Sequence, residues 1–274
     1  MWTITGFADE IAEDLDEQLE TLASEKVTHL ELRAAWGVNV LDLTDEQVAR
    51  VKKALAERGI KVSSIGSPIG KIHITDPFEP HLERFRRALW CAKELGAPFI
   101  RIFSFWIPEG RHEEFRPEVM RRMEAIVREA EGSGVTLLHE NEKHIYGDIP
   151  KRCLDIVESI QSPTLRVAWD PANFVQCGVR PFTEGYEMLR PYIAYVHVKD
   201  FSIARQQVTP AGEGDGEFRQ TIRALRDSGF DGFFSMEPHL STAGEFSGFS
   251  GPDLFKKALH AFRRILDEEG IPWQ

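Results

Sequence analysis

The chain has 274 residues, 42% hydrophobic and 28% charged, the balance of a water-soluble globular protein. Its net charge of −11 argues against a general attraction to nucleic acid or anionic lipid, so neither is an expected partner. Three cysteines (Cys91, Cys153 and Cys177) without a CxxC pair argue against a disulfide scaffold or a cysteine zinc site and suit a reducing cytoplasm.

No stretch approaches the roughly 18 consecutive apolar residues of a membrane helix. Met1 to Gly6 carries no basic segment ahead of an apolar one, so no secretory signal is expected. Strand patterns recur at Ile4–Phe7, His29–Leu32, Lys61–Ile65, Phe99–Phe103, Thr136–Glu140, Arg166–Asp170, Ala194–Val198 and Phe233–Glu237. They are near-continuous apolar runs, as in a parallel sheet buried on both faces.

Helical segments lie between them. Thr44-Asp45-Glu46-Gln47 reads as a capping box and Gly59 as the end of that helix. Pro80, Pro117, Pro150 and Pro252 suit first-turn positions, and Gly96, Gly132 and Gly270 suit helix ends. In the last helix Leu254, Phe255, Ala258, Leu259, Phe262, Ile265 and Leu266 form an apolar stripe facing away from Lys256, Lys257, Arg263 and Arg264. Eight βα units without a linker predict an α/β fold, a single (β/α)8 TIM barrel over residues 1–274, with an open doubly wound sheet as the alternative.

Barrel enzymes take their catalytic groups from strand C-termini. Glu140, Asp170, His197 and Glu237 stand there on four successive strands, and three carboxylates with one imidazole suit Mn²⁺, Mg²⁺, Co²⁺ or Zn²⁺. A lone acid at a strand end is more often a salt-bridge partner or a helix cap; four in phase point to one divalent ion. Alternation puts Lys199 on the face of His197 and His239 on that of Glu237, as candidate substrate contacts. For Lys199 the plainer alternative is a rim salt bridge with Asp200 or another acid. Asn173, His144, Lys71 and Glu31 are further substrate-binding candidates, His144 also as a support for Glu140. Trp36, Phe105 and Trp106 offer an apolar wall or loop packing. Ala211 to Glu217 alternates glycine with acidic residues, which reads as a flexible loop unsuited to phosphate. No GxSxG, HExxH or nucleophilic cysteine pattern occurs.

Leu138-His139-Glu140-Asn141-Glu142, Trp169-Asp170-Pro171-Ala172-Asn173, Val196-His197-Val198-Lys199-Asp200 and Met236-Glu237-Pro238-His239 together resemble the xylose isomerase-like TIM barrels. The sugar phosphate isomerase/epimerase family is the nearest group, and Gly66 to Lys71 and Arg101 to Phe105 are similar to it too. The resemblance implies that Glu140, Asp170, His197 and Glu237 ligate one divalent ion and that Glu140 and Glu237 move protons. Two positions depart from the ketose 3-epimerases of that superfamily, Asn173 replacing a histidine and Ile203 an arginine.

The expected function is metal-dependent isomerisation or epimerisation of a small sugar or polyol carbonyl through an enediolate. Dehydration of a keto-polyol is the alternative. Endonuclease-type phosphodiester hydrolysis fits less well, because it needs more histidines than the nine present, of which His29, His81 and His260 fall on scaffold positions. A non-catalytic sugar-binding protein is the third class, and a homo-oligomer is left open.

Overall fold

Apolar strands covered by one-sided helices have no free sheet edge to spare, and the chain resolves this by closing on itself. The computed structural model describes residues 1–243 and 248–274. Its strands are β1 Thr3–Gly6, β2 His29–Leu32, β3 Lys61–Ile65, β4 Phe99–Ile102, β5 Thr136–Glu140, β6 Leu165–Trp169, β7 Ile193–Val198 and β8 Phe233–Met236. From β2 to β8 each pairs in parallel with the next, β8 pairs with β1, and a Phe7–Glu31 bridge closes the ring. This is a single (β/α)8 TIM barrel.

The outer helices are α1 Leu15–Ser24, α2 Asp45–Arg58, α3 Glu79–Leu95, α4 His112–Ala130, α5 Pro150–Ile160, α6 Pro171–Gln176, α7 Pro181–Tyr186, α8 Phe218–Asp227 and α9 Pro252–Glu268. The Thr44–Gln47 capping box forms, and Gly59 and Gly96 end their helices in the left-handed conformation. Pro117 does not open its helix: α4 begins at His112, where Glu113 and Glu114 suit the positive end, and the proline is accommodated inside. On α9 the buried stripe packs against the barrel, with Phe262 5.4 Å from Phe234 ring to ring. Leu254 departs from that stripe, being half-buried on a cavity wall. Among the described residues no helix is long and apolar enough to cross a membrane.

Inside the ring the side chains form layers. Near the N-terminal end, Phe99, Tyr195 and Phe233 pack ring against ring, 5.7–6.1 Å apart, beside Leu138 and Ala168. The Tyr195 hydroxyl lies 2.9 Å from Ser63 Oγ, which lies 2.8 Å from Thr5 Oγ1. One pleat period farther along the same strands come Arg101, Glu140 and His197. An aromatic plug thus floors a charged upper layer.

The segment Ala211 to Glu217 is an ordered cage rather than a flexible loop. The backbone N–H groups of Gly212, Gly214, Gly216 and Phe201 donate to the Asp200 carboxylate over 2.8–3.0 Å. An internal anion therefore fills the nest its glycines make. A Cβ on Gly214 or Gly216 would meet Asp200 Oδ1 at 2.5 or 2.7 Å.

A buried histidine ties the outer shell to the loop after β3. Gly70, at φ +92, donates its N–H to His81 Nε2 over 2.7 Å, and a Cβ there would lie 2.0 Å from the Phe103 carbonyl oxygen. Burial, with Arg84 and Arg122 nearby, lowers the His81 pKa from 6.5 to about 4. A histidine depressed in the folded state contributes stability that is full above its unfolded pKa and is lost as pH falls toward the folded one. The shift corresponds to about 3 kcal/mol. Chemical denaturation of the wild type should therefore show stability declining between pH 6.5 and 4, and His81→Gln should be less stable at pH 7 with a visibly shallower decline. An equal slope in the variant would show that His81 does not couple folding to pH.

Candidate metal centre

Four elements deliver the central residues. Glu140 ends β5, His197 lies within β7, Asp170 caps α6 and Glu237 follows β8. One ligand atom from each lies within 4.8 Å of the others, and all four residues are buried. His197 Nδ1 is 3.3 Å from Glu140 Oε1, 3.5 Å from Glu237 Oε2 and 4.0 Å from Asp170 Oδ2. Its Nε2 faces Glu31 Oε2 at 3.3 Å, so Glu31 lies on the far side of the imidazole from the other carboxylates. Such a rear carboxylate orients a histidine whose other nitrogen binds a metal.

Asp170 is a helix cap and a member of the quartet together. Its Oδ1 accepts from Asn173 N over 2.9 Å, while Oδ2 lies 2.8 Å from Lys199 Nζ. Asn141 fixes the backbone here, its amide bonding both the N–H and the carbonyl of Asp170. Asn173 Nδ2 donates to Glu140 Oε1 over 3.1 Å. Lys199 does not pair with Asp200, whose carboxylate is caged. Its ammonium is buried between Asp170 and Glu237, 3.0 Å from Glu237 Oε2. His239, at φ +45, presents Nε2 to Glu237 Oε1 at 3.4 Å and to Glu10 Oε1 at 3.2 Å.

Burial opposes every charge here, and the local partners decide each outcome. Against burial, His197 and Arg101 draw the Glu140 carboxyl down to about 2. Burial, with Glu140 and Glu237 close by, pushes Asp170 up to about 6 despite Lys199. Burial also opposes the His197 charge, yet Glu140 and Glu31 hold its imidazole well above the usual range. The cluster draws positive charge, and a metal binding there would compete with that proton.

Over the quartet lies a cavity of about 810 Å³ whose lining includes Lys71, Trp106, His144, Asn173, Lys199 and His239. Asn173, Lys199 and His239 touch the quartet as well. Lys71 and His144 stand on the wall, Lys71 paired with Glu142 at 3.3 Å and lying over the Phe103 ring. Glu140 is supported by Asn173, Arg101 and His197. Of the three aromatic wall candidates only Trp106 lines the cavity. Phe105 is core packing and Trp36 packs beneath Arg50.

Arg33 and Arg101 are additional members of the site. Both are buried over the Phe7 ring, and both reach Glu237. Arg101 was discernible as a lone charge within Phe99-Ile100-Arg101-Ile102-Phe103, in phase with the interior. Arg33 continues the phase of His29 and Glu31. Asp9 and Glu10, which bind Arg33 and His239, sit in a short 3₁₀ turn with no comparable period.

The donor set fits a divalent ion. The buried Nδ1 of His197 makes no hydrogen bond and stands beside carboxylates of hard-ligand type.

A model of the family described as xylose isomerase-like TIM barrel matches residues 19–271. The 2-epi-5-epi-valiolone 7-phosphate 2-epimerase of Actinoplanes sp. is 31% identical over 138 residues, 50% of this chain and 49% of the epimerase. The chain spans about half the length of the curated relatives it matches. A D-tagatose 3-epimerase-like protein superposes with a TM-score of 0.77 at 19% identity, covering 97% of each chain. The IOLI protein, solved with a zinc atom, gives 0.77 at 15% identity, covering 97% of this chain and 98% of its own. At such identities these two structures establish the likeness of fold. With the match across most of its length, the chain belongs to the xylose isomerase-like TIM barrel family.

Proposed function

We propose that the protein is a divalent-metal-dependent isomerase or epimerase of a small sugar or polyol-derived carbonyl compound. The observation that carries this reading is a buried Glu140–Asp170–His197–Glu237 quartet joined through Asn173, Lys199 and His239 to a cavity of about 810 Å³, large enough for a sugar. The Actinoplanes relative, an epimerase by name, supports the reaction class. The bound ion would supply positive charge to a carbonyl and an adjacent hydroxyl oxygen, which acidifies the C–H bond between them.

The chain's own residues then divide the work. Glu140 and Glu237, on β5 and after β8, approach from different sides of the barrel mouth, one removing the proton and the other returning it. Lys199, beside Asp170 and Glu237, offsets negative charge developing on substrate oxygen. Asn173 keeps Glu140 in place. His239, His144 and Lys71 offer polar contacts from the cavity lining, and Trp106 an apolar surface for carbon atoms. Glu31 acts through His197 rather than on substrate.

Metal uptake is the first test. A ligand that binds only the folded state at a hundredfold excess over its Kd stabilises by about 2.7 kcal/mol. Manganese at that excess should raise wild-type stability accordingly, and the same concentration should leave His197→Ala and Asp170→Asn unmoved. A stabilisation retained in both variants places the ion elsewhere. The second test is deuterium uptake from solvent in a screen of ketoses, aldoses and keto-polyols with added metal. For a cognate compound, Glu140→Gln and Glu237→Gln at saturating metal should each lose roughly 10²–10⁴-fold in exchange rate. Exchange that persists in both removes the proton-transfer role. Release of water with a new unsaturated absorbance assigns the same groups to dehydration.

A further inference from the structure

The two glutamates of the quartet share one orientation. Each turns one oxygen toward the imidazole and the other toward the same arginine. Glu140 Oε1 meets His197 Nδ1 and Asn173 Nδ2 at 3.3 and 3.1 Å, while its Oε2 faces Arg101 Nη1 at 3.3 Å. Glu237 Oε2 meets Lys199 Nζ and His197 Nδ1 at 3.0 and 3.5 Å, while its Oε1 faces Arg101 Nη1 at 3.7 Å. One guanidinium nitrogen therefore stands between the rear oxygens of both glutamates.

The arginine itself is firmly held. Its Nη2 reaches the carbonyl oxygens of Gly66 and Ser67 at 3.3 and 3.5 Å, and its Cζ lies 4.8 and 4.9 Å from the Phe7 and Phe103 ring centres. It is 3% exposed, and its Nη1 is turned to the two glutamates. Arg33 adds a second guanidinium at Glu237 Oε1, at 3.5 Å, and is itself anchored to Asp9 at 2.7 Å.

We infer that Arg101 is a positioning residue that captures the rear oxygens of Glu140 and Glu237, so that each offers a single oxygen to the ion and leaves coordination positions for substrate. This rests on the metal reading above. A carboxylate with both oxygens free readily chelates a divalent ion with both, filling those positions. A planar guanidinium locked between two rings and two carbonyls prevents that rotation, which a flexible ammonium would do less well. The same crowding argues against a second ion on the nearby Glu10, Glu237 and His239. Those ligand atoms also lie within 4.8 Å of one another, but a dication there would meet both guanidinium groups at Glu237 Oε1.

The test uses manganese(II) as the probe, because the relaxation of bulk water protons reports the waters that exchange on a bound paramagnetic ion, and a carboxylate oxygen that swings onto the ion displaces one. The full-length wild type, Arg101→Met and Arg101→Lys are loaded with manganese, with circular dichroism confirming the fold of each. The wild type should show strong enhancement of water-proton relaxation. The enhancement should fall by roughly half in Arg101→Met and by a smaller fraction in Arg101→Lys, with manganese still bound in both. If Arg101→Met does not fold, Arg101→Lys decides by itself through the same loss. Wild-type enhancement in the manganese-loaded variants overturns this inference and leaves the metal reading intact. A wild type that takes up no manganese overturns both.

Discussion

Mutual repulsion among buried carboxylates is the constraint on which the rest of this site depends. Glu140, Asp170 and Glu237 converge at one end of a closed barrel, with Glu31, Glu10 and Asp9 close behind. Among the described residues six carboxylates meet three permanent cations there: Arg33, Arg101 and Lys199. In a dry interior such an imbalance costs several kcal/mol per unpaired charge, so the cluster must acquire positive charge. Protonated His197 supplies part of it, and a divalent ion among the four ligands would take the place of that proton and supply more. The raised pKa of His197 and the raised pKa of Asp170 are two responses to the same deficit.

The scaffold makes this concentration of charge tolerable. Closure of the sheet leaves no edge to satisfy, and the Phe99–Tyr195–Phe233 plug seals the lower end of the barrel. Charged groups are thereby confined to the upper layer, where backbone amides, asparagines and guanidinium groups approach them from the loops. Asp200 shows the same economy at the rim. Four backbone N–H groups converge on it, which ties the glycine-rich segment to the end of β7, with Glu213 on the cavity wall.

Most of the fold and the centre of the site were legible in the residue pattern, because both rest on short-range periods. Their places at strand C-termini put Glu140 and His197 at the barrel mouth, and the βα spacing brought their strands round one end of the ring. Strand reasoning placed Asp170 on the sheet, where the chain instead turns at Pro171 into α6, and the carboxylate takes on a cap as well. Arg101 carried a signal in its phase, a charge amid Phe and Ile, that reasoning from ligand types passed over. Glu10 and the Asp200 cage were hidden for a different reason. Their partners lie far off in sequence (His239 and Ser250 for Glu10) or depend on loop φ values that no local period encodes.

Family membership narrows the scaffold more than it narrows the chemistry. The site of this chain carries an asparagine beside Glu140, an ammonium buried between two quartet acids, and two arginines behind the glutamates. The central claim is that the four side chains bind one ion together. Anomalous X-ray scattering at the manganese edge from manganese-loaded crystals tests it most directly. The account predicts a single strong peak bounded by Glu140, Asp170, His197 and Glu237. Saturated crystals with no peak there, or with the ion seated elsewhere, would contradict it.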